Sequence, residues 1–273
     1  MKLHIGCSGW SYSAWTGHFY PKALESKNYL YYYGKVFDYV EIDSSFYRMP
    51  NDFMTSRWTK ATPDNFKFTA KVPKSVTHDK RLGQGSDDDL HYFHKAMAPL
   101  TNKLGCLLLQ LPPSMNKNEG LKKLQNLPFD NRFRYAVEAR HQSWFDEEVY
   151  SFLRENDVCL AWSQLAEIQT PPIVTTDFIY LRFIGDRSIP EEEFGNIQKD
   201  RTEEMKYWAS IIHNQTNDKQ LKSGFVAANN HYAGFGPATA DMFRRMVGLP
   251  EVRWEEKKQS SLSDYGGPAN NNI

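Results

Sequence analysis

Short apolar runs that alternate with helical patterns constrain this chain more than any other feature of its sequence. Eight such runs occur, at residues 3–7, 39–43, 67–72, 105–111, 134–140, 158–163, 178–184 and 224–230. Nearly continuous apolar runs are typical of parallel strands covered on both faces. Eight strand-and-helix units in about 250 residues favour an α/β fold with a single TIM-like (β/α)8 barrel over a doubly wound sheet. We place this barrel domain at residues 1–250 and a polar, flexible tail at 251–273.

Apolar spacing and helix-breaking residues predict the connections between the runs. Residues 205–212, before the eighth run, and residues 242–247, after it, carry apolar side chains at helical intervals. Ser143 is the predicted N-cap of the helix between the fifth and sixth runs. Pro171 and Pro172 oppose a regular helix between the sixth and seventh runs, so that crossover is predicted to be irregular.

Composition narrows the class of protein. The 273 residues include 33 Lys plus Arg and 33 Asp plus Glu, and this balance argues against a generally basic nucleic-acid coat protein. The longest apolar stretches, such as 104–111, are far shorter than the ~20 residues of a membrane helix, and residues 1–10 lack the apolar region of a secretory signal. Cys7, Cys106 and Cys159 lie in apolar runs, which predicts reduced core thiols in a cytoplasmic protein.

Polar side chains recur at one parity of the predicted strands, near their C-terminal ends. Since alternate side chains of a strand point to opposite faces, the apolar parity packs on the helices and the polar parity faces the barrel axis. The polar set consists of Glu41, Asp43, Lys71, Gln110, Glu138, Arg140 and Arg182. Barrel enzymes keep their active sites at this end of the strands. Because buried charges cost several kcal/mol each unless paired, we predict a functional pocket, with an inert ion-pair network as the alternative.

Residues beyond the strand ends extend this candidate site. Gly234, Gly236 and Pro237 open a helix after the eighth run and, with Arg182, predict an anion cradle; an ordinary turn into a helix is the alternative. Aromatic side chains after the strands predict a stacking wall for a sugar ring or a base. The further candidate substrate contacts are Trp10, Tyr12, Tyr47, Trp144, Asn229, Asn230 and His231.

Six sequence blocks resemble the YecE-like family, domain of unknown function 72. They are residues 6–21, 40–50, 68–82, 107–114, 137–144 and 229–240, in the order that the family has them. The resemblance implies a TIM barrel independently of the strand pattern, and it implies no established reaction. Asp43 stands where the family commonly has Asn, and Ala139 where it often has Phe.

The polar set predicts an enzyme that acts by acid/base chemistry on a small polar substrate, anionic or sugar-like. Glu41 and Glu138 are the candidate general acid and base, because neighbouring acids among cations can have pKa values that are pushed apart. Lys71 and Arg140 complete the catalytic set, and Arg182 binds charge on the substrate. Hydrolysis, lyase chemistry and isomerisation are all compatible with these residues, and Lys71 as a Schiff-base nucleophile stays open.

Two other functions are compatible with the sequence. One is an endonuclease-like barrel that processes nucleic acid, and the other is a non-catalytic ligand-binding protein. Endonucleases of this fold usually carry metal, whereas only His141 and His231 lie near predicted strand ends, without an HxH or HxxE pattern. We therefore predict no metal and no cofactor, disfavour nucleic acid as a partner, expect no membrane partner, and leave the oligomeric state open.

Overall fold

The computed structural model of the chain describes residues 1–215 and 220–254, and in this part nine parallel strands form a nearly closed barrel. The strands are β1 (Lys2–Ser8), β2 (Tyr39–Ile42), β3 (Lys67–Lys71), β4 (Leu104–Gln110), β5 (Tyr135–Glu138), β6 (Val158–Leu160), β7 (Trp162–Leu165), β8 (Phe178–Gly185) and β9 (Ser223–Ala228). Their order around the barrel is β6-β5-β4-β3-β2-β1-β9-β8-β7. The predicted TIM-like α/β barrel is confirmed.

One predicted strand is split in two. The sixth run forms β6, which pairs with β5, and β7, which pairs with β8 through Ser163 opposite Arg182. Ala161 alone separates them, and its N–H donates to the Val137 carbonyl of β5 at 2.9 Å. The chain therefore changes its pairing partner within one residue. Together, β6 and β7 stand where an eight-stranded barrel has one strand. They are the two ends of the strand order, and Ala161 connects them through the chain.

Helices follow most of the strands, and the longer helices cover the outer face of the sheet. The helices are α1 (Tyr29–Gly34), α2 (Asp52–Lys60), α3 (Ser86–Met97), α4 (Lys117–Gln125), α5 (Glu147–Glu155), α6 (Thr202–Gln215), α7 (Asn230–Ala233) and α8 (Gly236–Met246). Residues 166–177, between β7 and β8, contain no helix, so the predicted irregular crossover is confirmed. In this segment Thr175 Oγ1 donates to the Val158 carbonyl and accepts from the Leu160 N–H, both at 2.8 Å, and so fastens the crossover to β6.

Short polar side chains begin three of the helices. Asn51, Asn116 and Asp146 each accept a hydrogen bond from the N–H three residues later, at 2.9, 3.0 and 3.1 Å. The prediction that Ser143 caps α5 is wrong, because Asp146 caps it. Ser143 lies in a preceding 3-10 turn, and its Oγ accepts from the Lys117 N–H at the start of α4 at 2.8 Å. Ser143 bonds to the start of α4 because the two segments pack together, and the sequence spacing does not reveal that packing.

The core lies on both sides of the sheet. The larger part fills the space between strands and helices and includes the predicted buried face of α6. The smaller part fills the barrel interior with Tyr39, Cys106, Leu108, Ala136, Cys159, Ala161, Phe178, Tyr180, Phe225 and Ala227. Tyr39 and Tyr180 share the parity of Glu41 and Arg182 on their strands. The polar residues therefore form the top layer of the barrel interior, and the prediction that they face the axis is confirmed.

The packed chain continues past the predicted domain boundary at residue 250. The Trp254 ring lies 5.8 Å from that of Phe19 and 6.3 Å from that of Phe235, and the Tyr32 hydroxyl donates to its carbonyl at 3.1 Å. The rest of the predicted tail, 255–273, lies outside the described residues. Among the helices of the described part, none combines the length and the apolar character that crossing a bilayer requires.

Candidate functional site

A cavity of about 320 Å³ opens at the carboxyl ends of the strands. Its lining comes from several strand ends and the loops that follow them. The predicted site residues that line it are Trp10, Tyr12, Asp43, Tyr47, Lys71, Gln110, Arg140, Arg182, Asn229 and His231. Four other predicted residues, Glu41, Glu138, Trp144 and Asn230, lie outside the lining and are buried.

Arg182 is the centre of an ion-pair network under the cavity floor. Its Nε and Nη2 donate to the two carboxylate oxygens of Glu41 at 2.6 and 2.7 Å, and its Nη1 donates to Glu138. Glu41 also accepts hydrogen bonds from the hydroxyls of Ser8 and Tyr180. All these side chains are buried. Opposite charges face each other throughout, which is the condition for keeping charges inside a protein.

Strand register brings the network together. Ser8 lies opposite Glu41 in the pair of β1 and β2, and Gln110 lies opposite Glu138 in the pair of β4 and β5. Arg140 then joins β4 and β5 to the cavity. Its Nε donates to Glu138 at 2.6 Å and its Nη2 to Gln110 Oε1 at 3.1 Å, while 15% of its side chain stays exposed.

The two glutamates of the network are held in their charged form. Burial raises the pKa of Glu138, but the charges of Arg182 and Arg140 outweigh burial and lower that pKa to about 2. In Glu41, burial also opposes ionisation, and Arg182 and Lys71 again bring the pKa below its ordinary value. Both side chains are 0% exposed and neither lines the cavity. The structure therefore buries both predicted acid/base residues behind the cavity lining, where neither contacts the cavity.

Lys71, the last residue of β3, presents its amine to the cavity. The residue is 6% exposed, and its Nζ lies 4.1 Å from the centre of the Phe46 ring. In the described part of the chain no oxygen accepts a hydrogen bond from this Nζ. Burial, assisted by the charge of Arg182, lowers the pKa of Lys71 to about 8, against the opposing charges of three nearby carboxylates. Such an amine exchanges its proton near neutral pH.

Asp43 lies in the same cavity with a pKa shifted in the opposite direction. Burial, and then the charge of Glu41, raise its pKa above the ordinary value. The Tyr12 hydroxyl donates to the Ser8 carbonyl at 2.9 Å and lies 3.2 Å from Asp43 Oδ2. Gly9 allows this close approach with a φ of +80°, since a Cβ there would lie 2.8 Å from the Tyr12 hydroxyl oxygen and 2.9 Å from Asp43 Oδ1.

The loop after β8 forms one side of the cavity mouth, and no pattern in the sequence predicts it. Arg187, Glu191 and Phe194 of this loop line the cavity. The Phe194 ring lies 4.8 Å from the ring of His231 and 6.0 Å from that of Tyr12. The loop shows no periodic pattern, and its position directly after a predicted strand is the one signal that could have indicated it.

Aromatic side chains stand at the rim of the cavity. Tyr47 is 65% exposed, whereas Trp10 is half-buried and meets the Trp58 ring edge-on at 5.5 Å. Asn229 Oδ1 accepts from the His231 N–H at 3.0 Å, which holds the loop after β9 against the cavity. These residues leave ring faces and polar groups side by side at the mouth.

Two of the predicted substrate contacts, Trp144 and Asn230, do not line the cavity. Trp144 is fully buried and its Nε1 donates to the Met115 carbonyl at 2.8 Å. Asn230 Oδ1 accepts from Trp15 Nε1 at 3.0 Å and from the Gly236 N–H at 2.8 Å. The second bond uses an N–H group at the start of α8. At the place where the sequence predicts an anion cradle, this N–H is therefore bonded within the chain.

The cavity lining carries more basic than acidic side chains. The bases are Lys71, Arg140, Arg182 and Arg187, and the acids are Asp43 and Glu191. Arg140 and Arg182 share the buried carboxylates, which leaves Lys71 and Arg187 as the cations of the lining outside that network. Within residues 1–215 and 220–254, no group of three or more His, Cys, Asp or Glu side chains is arranged to hold a metal ion.

Parallel strands, outer helices and a polar cavity at the carboxyl ends define a TIM-barrel protein with its cavity where barrel enzymes place their active sites. Within that class, the chain belongs to the family described as protein of unknown function DUF72, whose family model matches residues 4–262. The family resemblance found in the sequence blocks is thereby confirmed.

Two curated relatives carry the description UPF0759. The chain is 31% identical to the UPF0759 protein YecE of Escherichia coli K12 over 146 residues, which are 52% of this chain and 50% of YecE, so the match spans about half the length of that relative. It is 26% identical to the UPF0759 protein YunF of Bacillus subtilis over 279 residues, covering 92% and 96% of the two chains.

Solved structures show the same fold. A DUF72 family protein of Thermotoga maritima is 31% identical with a TM-score of 0.75, covering 90% of this chain and 99% of that one. One from Enterococcus faecalis is 22% identical with a TM-score of 0.73, covering 91% and 96%, and supports the fold alone. The names of these proteins state no reaction.

Proposed function

We propose that this chain is an enzyme that transfers protons on a small polar substrate with an anionic group, with Lys71 and Asp43 as the proton-transferring residues. The observation that carries the proposal is that both line one cavity with pKa values shifted toward neutrality, that of Lys71 to about 8 and that of Asp43 upward. Groups with such pKa values transfer protons efficiently in both directions. A purely structural ion pair shifts the pKa values of its members away from neutrality, as the low pKa of Glu138 illustrates.

The shape and charge of the cavity support a small anionic substrate. About 320 Å³ accommodates a molecule of metabolite size. The excess of basic side chains favours an anionic group, which Arg140 and Arg187 are placed to bind, and the rings of Trp10 and Tyr47 are suited to cover an apolar face such as that of a sugar. Three buried cysteines without a disulfide favour a reducing compartment, and we place the activity in the cytoplasm.

Deuterium exchange with a mixture of compounds tests this proposal, because no single substrate has to be chosen in advance. The protein is incubated in D2O with small hydroxy acids, oxo acids, sugar acids and sugar phosphates, and deuterium incorporation and conversion are followed by NMR. We expect exchange or conversion of at least one compound with the wild type and its loss in Lys71→Met. Lys222→Met, a substitution of a 79% exposed side chain, is the matched control and should behave as the wild type.

Two results would contradict the proposal. The first is the absence of any exchange or conversion while compounds of the mixture still raise the melting temperature, which identifies a non-catalytic ligand-binding protein. The second is exchange that persists unchanged in Lys71→Met, which places the chemistry elsewhere.

A further inference from the structure

We propose that Lys71 captures its substrate covalently as an imine, and that the substrates of the cavity are small oxo acids, in which a ketone or aldehyde stands next to a carboxylate. The inference rests on the proposed function, because it uses the same cavity and the same lysine. It goes beyond proton transfer in two ways, because it includes a carbon–nitrogen bond to the substrate and names the class of substrate.

The contacts of Lys71 differ from those of a lysine that serves the fold. Lys103 is equally buried, at 7% exposure, and its Nζ donates to the carbonyls of Thr59 and Thr62, both at 2.8 Å. The Lys71 Nζ lies over the Phe46 ring and donates to no oxygen of the described residues. A ring face stabilises an ammonium less than two carbonyl acceptors do. The structure therefore satisfies Lys103 and leaves Lys71 available to a ligand.

The charges around Lys71 leave its amine partly neutral. The charged groups that act on it are Arg182, Glu41, Glu138 and Asp43. Both glutamates are committed to Arg182, and the pKa of Asp43 is raised. With a pKa of about 8, roughly half of the amine is neutral at pH 8, against well under ~1% for a lysine of ordinary pKa. The neutral amine is the nucleophile in imine formation.

The step balances without a further reactant. The Lys71 nitrogen attacks the carbonyl carbon, the C–N bond forms, and the electrons of the carbonyl π bond move to oxygen. A proton passes from nitrogen to that oxygen and gives a carbinolamine. Asp43 then protonates the hydroxyl, which leaves as water while the nitrogen lone pair forms the C=N bond. One water is released, and the resulting iminium faces the Asp43 carboxylate.

The carboxylate of the substrate follows from the lining of the cavity. Arg140 lines the cavity with 15% of its side chain exposed, and Arg187 lines the mouth. A guanidinium binds a carboxylate through paired hydrogen bonds. These cations share one small cavity with Lys71. An oxo acid can therefore bind through its carboxylate and through its carbonyl, whereas a simple aldehyde can bind through its carbonyl alone.

Reductive trapping tests the inference directly. The purified protein is incubated at pH 8 with glyoxylate or pyruvate and sodium cyanoborohydride, and the modified lysines are identified by peptide mass mapping. We expect one carboxymethyl or carboxyethyl group per chain, on Lys71, with a rate that saturates with concentration. From the fraction of neutral amine, labelling of Lys71 should exceed that of a lysine of ordinary pKa by about tenfold or more, and Lys103 should stay unmodified.

Variants and a second probe sharpen the test. Lys71→Met should lose the saturable labelling while its thermal unfolding shows a folded protein, and Arg140→Gln should require a higher oxo-acid concentration. Acetaldehyde, which lacks the carboxylate, should label Lys71 less efficiently than glyoxylate. Equal labelling by both probes would overturn the substrate class.

Failure of this inference can be told apart from failure of the proposed function. Labelling that spreads over exposed lysines and is unchanged in Lys71→Met overturns the imine. If Lys71-dependent deuterium exchange persists in that case, the proposed function stands without the covalent step. If the exchange is absent as well, both proposals fall.

Discussion

At the scale of single residues, Lys71 is expected to lower the stability of the folded protein. Its pKa in the folded protein is about 8, below the ordinary 10.5, so the folded state binds the proton less tightly than the unfolded state does. We expect Lys71→Met to raise the free energy of unfolding at pH 7 by ~2–3 kcal/mol. Wild-type stability should rise as the pH increases from about 8 to 10.5. The advantage of the variant should therefore shrink over this window.

Urea unfolding of both proteins at several pH values from 7 to about 10.5 checks this expectation. Lys222→Met, at an exposed position, is the control and should show no such pH-dependent difference. Destabilisation by Lys71→Met at pH 7 would mean that the ammonium is satisfied in the folded protein.

Glu138, by contrast, is a single residue that is expected to stabilise the folded protein. Its carboxylate accepts from Arg140 at 2.6 Å and from Arg182, and it is fully buried. Glu138→Gln leaves Arg182 with a buried charge that Glu41 alone balances, so we expect a loss of ~3–5 kcal/mol and a fall of about 10 °C in melting temperature. Differential scanning calorimetry measures both quantities.

The matched control for Glu138 is an exposed ion pair. Glu147 is 72% exposed and pairs with Arg154, so Glu147→Gln should change stability by less than ~1 kcal/mol. Acid unfolding gives a further check, because a lowered pKa means stability that is present above the ordinary value of 4.5 and lost as the pH falls toward about 2. An unchanged or raised melting temperature of Glu138→Gln would show that the carboxylates repel each other.

At the scale of elements, the turn after β1 determines how Tyr12 and Asp43 meet. Gly9 and Gly248 have nearly the same positive φ, +80° and +79°, but a Cβ at Gly248 would touch nothing within 4 Å. Alanine in this backbone region costs ~1–2 kcal/mol at either position. We expect Gly9→Ala to cost at least about 1 kcal/mol more than Gly248→Ala, since its Cβ must displace two side chains.

Chemical denaturation of the two alanine variants isolates that difference. The backbone term is common to both and cancels in the comparison. Equal losses would mean that Tyr12 and Asp43 move aside freely, and that the turn does not hold them in place.

At the scale of the whole molecule, three thiols report on the integrity of the barrel. Cys7, Cys106 and Cys159 lie on β1, β4 and β6 and are free and buried. Burial is the main reason that the pKa of each thiol is raised, that of Cys159 to about 12. We expect all three to react with a disulfide reagent slowly and at one common rate, because their exposure requires the barrel to open as a unit.

The labelling is followed by absorbance with and without denaturant. In denaturant, all three thiols should react at the rate of an ordinary cysteine. Rapid reaction of a single thiol in the native protein would show that one part of the barrel opens independently.

The sequence by itself determined the barrel and the top layer of its interior. Eight apolar runs require strands covered on both faces, and the two-residue repeat of a strand places Glu41, Lys71, Glu138 and Arg182 on the side of the axis. Both inferences depend on the local geometry of a strand, so the spacing of residues along the chain is enough to make them. The irregular crossover after the sixth run was predictable for the same reason, since the effect of a proline on the backbone is local.

Tertiary structure alone decided which of these residues line the cavity. The bidentate contact of Arg182 with Glu41 joins residues 141 positions apart, and it sealed the glutamates while Lys71 stayed in the cavity. Similar long-range contacts placed Asn230 against Trp15, 215 positions away, and withdrew it from the site. The pKa of a buried group depends on the charges and the burial that distant segments supply. Periodicity therefore predicts the face on which a side chain lies, and packing decides what that side chain can do.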